Sequence, residues 1–161
     1  MSSVKLRHSV RAIVLDEEDR ILLCRFSFPD RAVWSVPGGG VEPGEERYAA
    51  LRREMREETG LRVTGEPPHV WRRRVLDPGY AEGYDGVLMD YFLVRAAAFR
   101  PAGSLSTEEL AAENITGFRW WRPEEITGYR GPDLFGPRAL GELLTGLLRD
   151  GAPARPLELD R

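Results

Sequence analysis

The 161-residue chain has a single cysteine, Cys24, which excludes an internal disulfide. It has no apolar run long enough to span a bilayer and no signal-like apolar segment near its start, so the cytoplasm is the expected location and no membrane partner is expected. It has no excess of positive charge either, since 23 basic side chains face 26 acidic ones for a net charge of -3. A chain so balanced lacks the long-range field that draws in a nucleic-acid polymer, and an anionic small molecule must be met by local arginines and bound cations. Internal repeats and a linker between two cores are also missing. With 42% hydrophobic and 30% charged residues, the composition suits one globular domain, expected over 1–150, and a Pro-containing tail over 151–161 is expected to be disordered.

What the chain does have is a dense acidic stretch. From Glu45 to Thr59 the composition favours helix, with Pro43 and Gly44 before it and Gly60 where a left-handed C-terminal residue belongs. The expected helix has about four turns. Tyr48, Leu51 and Met55 share an apolar stripe, while Glu54, Glu57 and Glu58 converge on a neighbouring face at i, i+3 and i+4. Like charges at this spacing cost a helix about 0.2 to 0.5 kcal/mol per pair. Either a solvated face relieved by Arg52, Arg53 and Arg56 offsets that cost, or the carboxylates await a hard cation. The preceding Pro37, Gly38, Gly39 and Gly40 follow the strand-like Val33 to Val36 and let backbone groups approach a ligand closely. A glycine turn feeding an acidic helix is a phosphate-and-metal geometry.

These residues resemble a known family. The stretch matches the Nudix box, G-x5-E-x7-R-E-U-x-E-E-x-G-U with U a bulky apolar residue, at Gly39, Glu45, Arg53, Glu54, Met55, Glu57, Glu58, Gly60 and Leu61. Seven fixed and two restricted positions coincide by chance less than about once in 10⁸ windows, so the motif is specific. The resemblance covers residues 8 to 148 and implies the Nudix fold, a mixed β-sheet sandwiched between helices in an α/β/α arrangement. It also implies a hydrolase of nucleoside diphosphates linked to a further group, with Mg²⁺ as cofactor and Mn²⁺ as substitute. On this likeness Glu57 and Glu58 are metal ligands, Glu54 is a ligand or the base, and the Gly38 carbonyl is a further contact. Arg53 orients the carboxylates and Glu45 ties the loop to the helix.

Along the rest of the chain, Ser9 to Leu15 and Arg20 to Phe26 read as a hairpin after a frayed start, and Cys24 reads as a buried strand thiol. Leu61 to Thr64 is expected as a strand. In the next strand, from His69 to Leu76, Arg72 and Arg74 (or Arg73 in the other register) are candidates to neutralise substrate phosphates. The loop Asp77 to Gly86 is either a lid, with Tyr80 or Tyr84 stacking on a base, or a plain hairpin connection. Glu109 and Glu113 are alternatives for the extra acidic residue that the family often uses outside the box. Downstream marks point two ways, because Pro78 resembles ADP-ribose hydrolases and Tyr80 resembles dinucleoside polyphosphate hydrolases. The compact chain favours nucleoside triphosphates, and a non-catalytic nucleotide sensor is the reading from another class. Monomer and homodimer both remain open.

Overall fold

The computed structural model describes residues 3–159. Its described backbone is a nine-stranded mixed sheet in the order β8-β3-β2-β1-β6-β5-β9, where β3 is Ala32–Ser35 and β8 is Leu134–Gly136, with β4 added beside β1 and β7 beside β2. The centre is β1 (Leu6–Leu15), which runs parallel to β6 (Gly86–Arg95) over its whole length. Both strands bury alternate residues on two faces, so each face needs its own cover. On one face α1 (Arg47–Glu58) lays Ala50, Leu51 and Met55 onto Val10, Ala12, Val14 and Phe92. On the other, α3 (Pro123–Thr127) and α4 (Leu140–Asp150) cover Ile13, Leu15, Trp71 and Trp121. Each fully buried Leu or Met here contributes about 1.5 to 3 kcal/mol. Helices on both faces give the expected α/β/α sandwich.

The expected hairpin of β1 and β2 (Ile21–Ser27) closes only at the Leu15–Ile21 pair. Beyond it the strands part, and β4 (Gly38–Gly40) takes the place beside β1, pairing Gly38 with Arg11 and Gly39 with Val10. Only glycine fits this insertion: a Cβ on Gly38, whose φ is +149°, would lie 2.0 Å from the Val10 carbonyl oxygen. The separation of β1 from β2 delivers the chain to the start of α1.

Several elements differ from expectation. The helix begins at Arg47 rather than Glu45, because Glu45 is held in the loop by Arg53. Leu6 and Arg7 already belong to β1, where they pair with Gly86 and Val87 instead of fraying. Leu61 to Thr64 is not a strand; both edges of β6 are taken by β1 and β5 (His69–Val75), and Val63 is simply buried under α1. The tail is ordered in part, since β9 (Leu157–Leu159) pairs in parallel with Trp71 to Arg73 of β5. An open strand edge recruits a short alternating segment. Among the described residues no helix is long and apolar enough to cross a membrane.

Candidate active site

The glycine strand and the acidic helix meet face to face. A Cβ on Gly39 would sit 2.4 Å from the Glu54 carboxyl carbon, so the missing side chain is what lets this carboxylate lie against the backbone. One turn further on, Glu58 is only 1% exposed and accepts a hydrogen bond from the Gly38 N–H at 3.1 Å. Gly60, with φ +80°, ends the helix where a Cβ would strike the Ala102 carbonyl. Arg53 organises the outer side: Nε and Nη2 grip Glu45 at 2.9 and 3.0 Å, Nη1 reaches Glu54 at 2.8 Å and Glu57 at 3.4 Å, and Nη2 also binds the Gly40 carbonyl at 2.9 Å. One planar fork thus joins the loop, the strand and two of the three helix glutamates.

The charges are unevenly relieved. Arg53 beside Glu45 holds that carboxyl down to about 2. Burial pushes Glu58 up to about 8; the Arg11 guanidinium offsets part of this, and the charges of Glu54 and Glu113 add to it. Glu54 is raised as well, chiefly by burial, against the pull of Arg53. Glu113 therefore lies close enough to act on both carboxylates. It stands just past α2 (Thr107–Ala112), where Asn114 takes a left-handed turn (φ 67°) into β7 (Ile115–Trp121). Glu109 does something else: it forms a capping box with Ser106, each side chain meeting the other's backbone N–H at 3.0 and 3.1 Å.

The β5 arginines are sorted by a bulge between His69 and Trp71. Arg72 falls on the α1 face and donates from Nε to Asp90 Oδ1 at 2.9 Å, and Arg74 is exposed beyond it. This register puts Arg72 beside Asp90 on the α1 face and Arg73, the other-register candidate, on the opposite one. Asp90 is fully buried and also receives His8 Nε2 at 2.6 Å, while His69 Nε2 lies 2.8 Å away but out of line for a hydrogen bond. Burial alone would raise its carboxyl, but the bonds from His8 and Arg72 outweigh that and hold it at about 2. Arg73, the other-register alternative, points to the opposite face. There it lines a cavity of about 390 Å³ with Tyr80, Phe135 and Arg138. Tyr84 instead borders a cavity of about 430 Å³ beside Arg53 and Glu54. Sequence reasoning passed over Arg11, although a charge inside the apolar run Val10 to Leu15 was a visible signal.

The donor set suits a hard divalent cation. Glu54, Glu58 and Glu113 repel one another across a glycine turn, Glu57 adjoins them through Arg53, and carboxylate and carbonyl oxygens are the ligands such ions take. Among the described residues no three His, Cys, Asp or Glu side chains stand grouped so as to hold a metal ion. Arg53 and the Gly38 N–H occupy the oxygens that a cation would share.

With this geometry in hand, the fold and site define a hydrolase class. The chain matches the NUDIX domain model over residues 5–140 and belongs to the Nudix hydrolase family, whose members use divalent metals. It is 31% identical over 122 residues to the nucleoside triphosphatase NudI of Escherichia coli, covering 72% of this chain and 82% of that one. Among solved structures it resembles the E. coli ORF135 protein (26% identity, TM-score 0.61, covering 96% and 99% of the two chains). The MutT protein of Methanosarcina mazei shares its fold (21% identity, TM-score 0.64, covering 93% and 98%).

Proposed function

We propose that this chain is a Mg²⁺-dependent pyrophosphohydrolase of nucleoside triphosphates, with Mn²⁺ able to replace Mg²⁺. The observation that carries the reading is the placement of Glu54 and Glu58 against the Gly38–Gly39 backbone, with the charge of Glu113 reaching both, where burial leaves Glu58 short of a positive partner. The likeness to NudI, a nucleoside triphosphatase, selects the substrate class. Glu54, Glu57, Glu58, Glu113 and the Gly38 carbonyl would hold the metal. When bound, a divalent cation neutralises phosphate oxygens and makes a water acidic near neutral pH.

The chain's own groups do the rest. Arg53 fixes the rotamers of Glu54 and Glu57, so the carboxylates are set before substrate arrives. Glu54 borders the open cavity, whereas Glu58 lies buried beneath the glycine strand. Its raised proton affinity suits Glu54 to take the proton from the attacking water. The cavity lined by Tyr80 and Phe135 offers flat aromatic surface to a base.

The test is release of pyrophosphate or phosphate from canonical and oxidised dNTPs, ADP-ribose, diadenosine polyphosphates and nucleotide sugars, with and without Mg²⁺. Strong Mg²⁺-dependent turnover of a nucleoside triphosphate is expected. Preference for ADP-ribose or a dinucleoside polyphosphate would replace the substrate class. Nucleotide binding without any product would mark a sensor.

A further inference from the structure

Most of the partly buried arginines in this fold have a carboxylate partner: Arg20 has Asp16, Arg25 has Asp133, Arg53 has Glu45 and Arg72 has Asp90. Two do not. Arg11 makes one long hydrogen bond, from Nη1 to the Val36 carbonyl at 3.4 Å, and its Nε is buried without an acceptor. The Nε of Arg73 is likewise buried and unpartnered. Buried donors are nearly always satisfied, so an orphaned Nε on each of these two guanidinium groups points to a ligand that accepts from them.

Their placement says which ligand. Arg11 on β1 is in register with Tyr91 on β6, and Tyr91 with Trp71 on β5; Arg73 lies two residues from Trp71 and so on the same face. Both guanidinium groups act on the buried Tyr91 phenol between them. Arg11 also acts on Glu58, and Arg73 opens into the Tyr80–Phe135 cavity. The order across the sheet is therefore carboxylates, Arg11, Arg73, aromatic cavity. A nucleotide laid in that order puts its scissile anhydride at the carboxylates and its base in the cavity. The phosphate that stays with the nucleoside falls between the two arginines.

We propose that Arg11 and Arg73 jointly bind this nucleoside-proximal phosphate, and so also the nucleoside monophosphate product. The inference rests on the nucleotide reading given above. It assigns both residues to substrate positioning and leaves proton transfer to the glutamates. Planar guanidinium forks match phosphate oxygens, and a cation held in a half-buried face binds such an anion more strongly than one in water.

The experiment is metal-free calorimetry in EDTA with nucleoside monophosphates and their matching nucleosides, on the unmodified protein and on Arg11→Gln, Arg73→Gln, Arg11→Lys and Arg73→Lys. Each glutamine variant is expected to weaken monophosphate binding about tenfold or more while nucleoside binding stays the same. The lysine variants should recover part of the loss. Removing an unpaired buried cation should leave the melting temperature equal or higher. Unchanged monophosphate affinity in both glutamine variants overturns the proposal. So does an equal loss of nucleoside and monophosphate binding, or a large drop in melting temperature, either of which marks a structural role. Turnover of the unmodified protein, measured in parallel, separates the two readings. If it hydrolyses nucleoside triphosphates while the variants bind normally, only this inference fails. If it neither binds nor hydrolyses any nucleotide, the functional reading fails and this one with it.

Discussion

Asp90 and Glu58 are equally hidden from water, at 0% and 1% exposure, yet their carboxyl groups sit at about 2 and about 8. Burial raises both. The difference lies in partners: Asp90 has His8 and Arg72 bonded to it and His69 alongside, whereas Glu58 has one backbone N–H, a share of the Arg11 field and two acidic neighbours. A carboxylate whose protein partners complete it belongs to the fold. One that burial isolates and like charges crowd is poised for something brought from outside.

The largest effect should come from breaking the second member of this pair. Glu58→Gln, and equally Glu57→Gln, is expected to lower kcat by about 10²-fold or more, the range lost with a key catalytic group. Its metal-free melting temperature should not fall, because the amide relieves repulsion by Glu54 and Glu113. Steady-state kinetics and calorimetry read the two outcomes, and a Glu58→Gln enzyme with full activity would remove Glu58 from the site. Glu113→Gln should cost less, about tenfold, because only part of the donor set is lost.

The same contrast shows what the amino-acid sequence makes legible. Glu54, Glu57 and Glu58 were readable because their i, i+3, i+4 spacing places them on one face whatever the rest of the chain does. Asp90 was not, since Val87 to Arg95 reads as a strand buried on both faces and nothing local says that His8 and Arg72 converge on it from β1 and β5. The β5 register was open for a related reason. One bulged residue near Val70 decides which face Arg72 and Arg73 each take, and a bulge leaves no mark in side-chain alternation. β4 is three glycines and has no pattern to read. β9 depends on a free edge that exists only after β5 has folded.

Breaking the first member should disturb folding instead of chemistry. Asp90→Asn leaves Arg72 without its counter-charge and is expected to cost about 2 to 3 kcal/mol of stability, measured by urea unfolding, with kcat on the folded fraction little changed. Acid should reproduce the loss without mutation. Because the folded carboxyl is depressed from 3.8 to about 2, its stabilisation is fully present above the unfolded value and disappears as pH falls through the folded one. The unmodified protein should therefore lose stability between about pH 4 and pH 2 more steeply than Asp90→Asn does. Parallel acid curves would show that Asp90 is not the group responsible.

The smallest effect sharpens the comparison within a single turn of chain. Glu109 and Glu113 are four residues apart at the two ends of α2, and the family resemblance admitted both as the extra acidic residue. Glu109 spends its carboxylate on the Ser106 N–H, a local bond that no ligand can use without opening the helix start. Glu113 follows the last turn of α2, and its charge reaches Glu54 and Glu58. Glu109→Ala should therefore cost about 1 kcal/mol, the usual worth of a capping interaction, and leave the Mg²⁺ dependence of kcat where it was. Glu113→Gln should shift that dependence to higher Mg²⁺ with little change in melting temperature. A Mg²⁺ titration of both variants decides the assignment: if the shift follows Glu109, the helix start opens in the working enzyme and the capping geometry describes only its resting form.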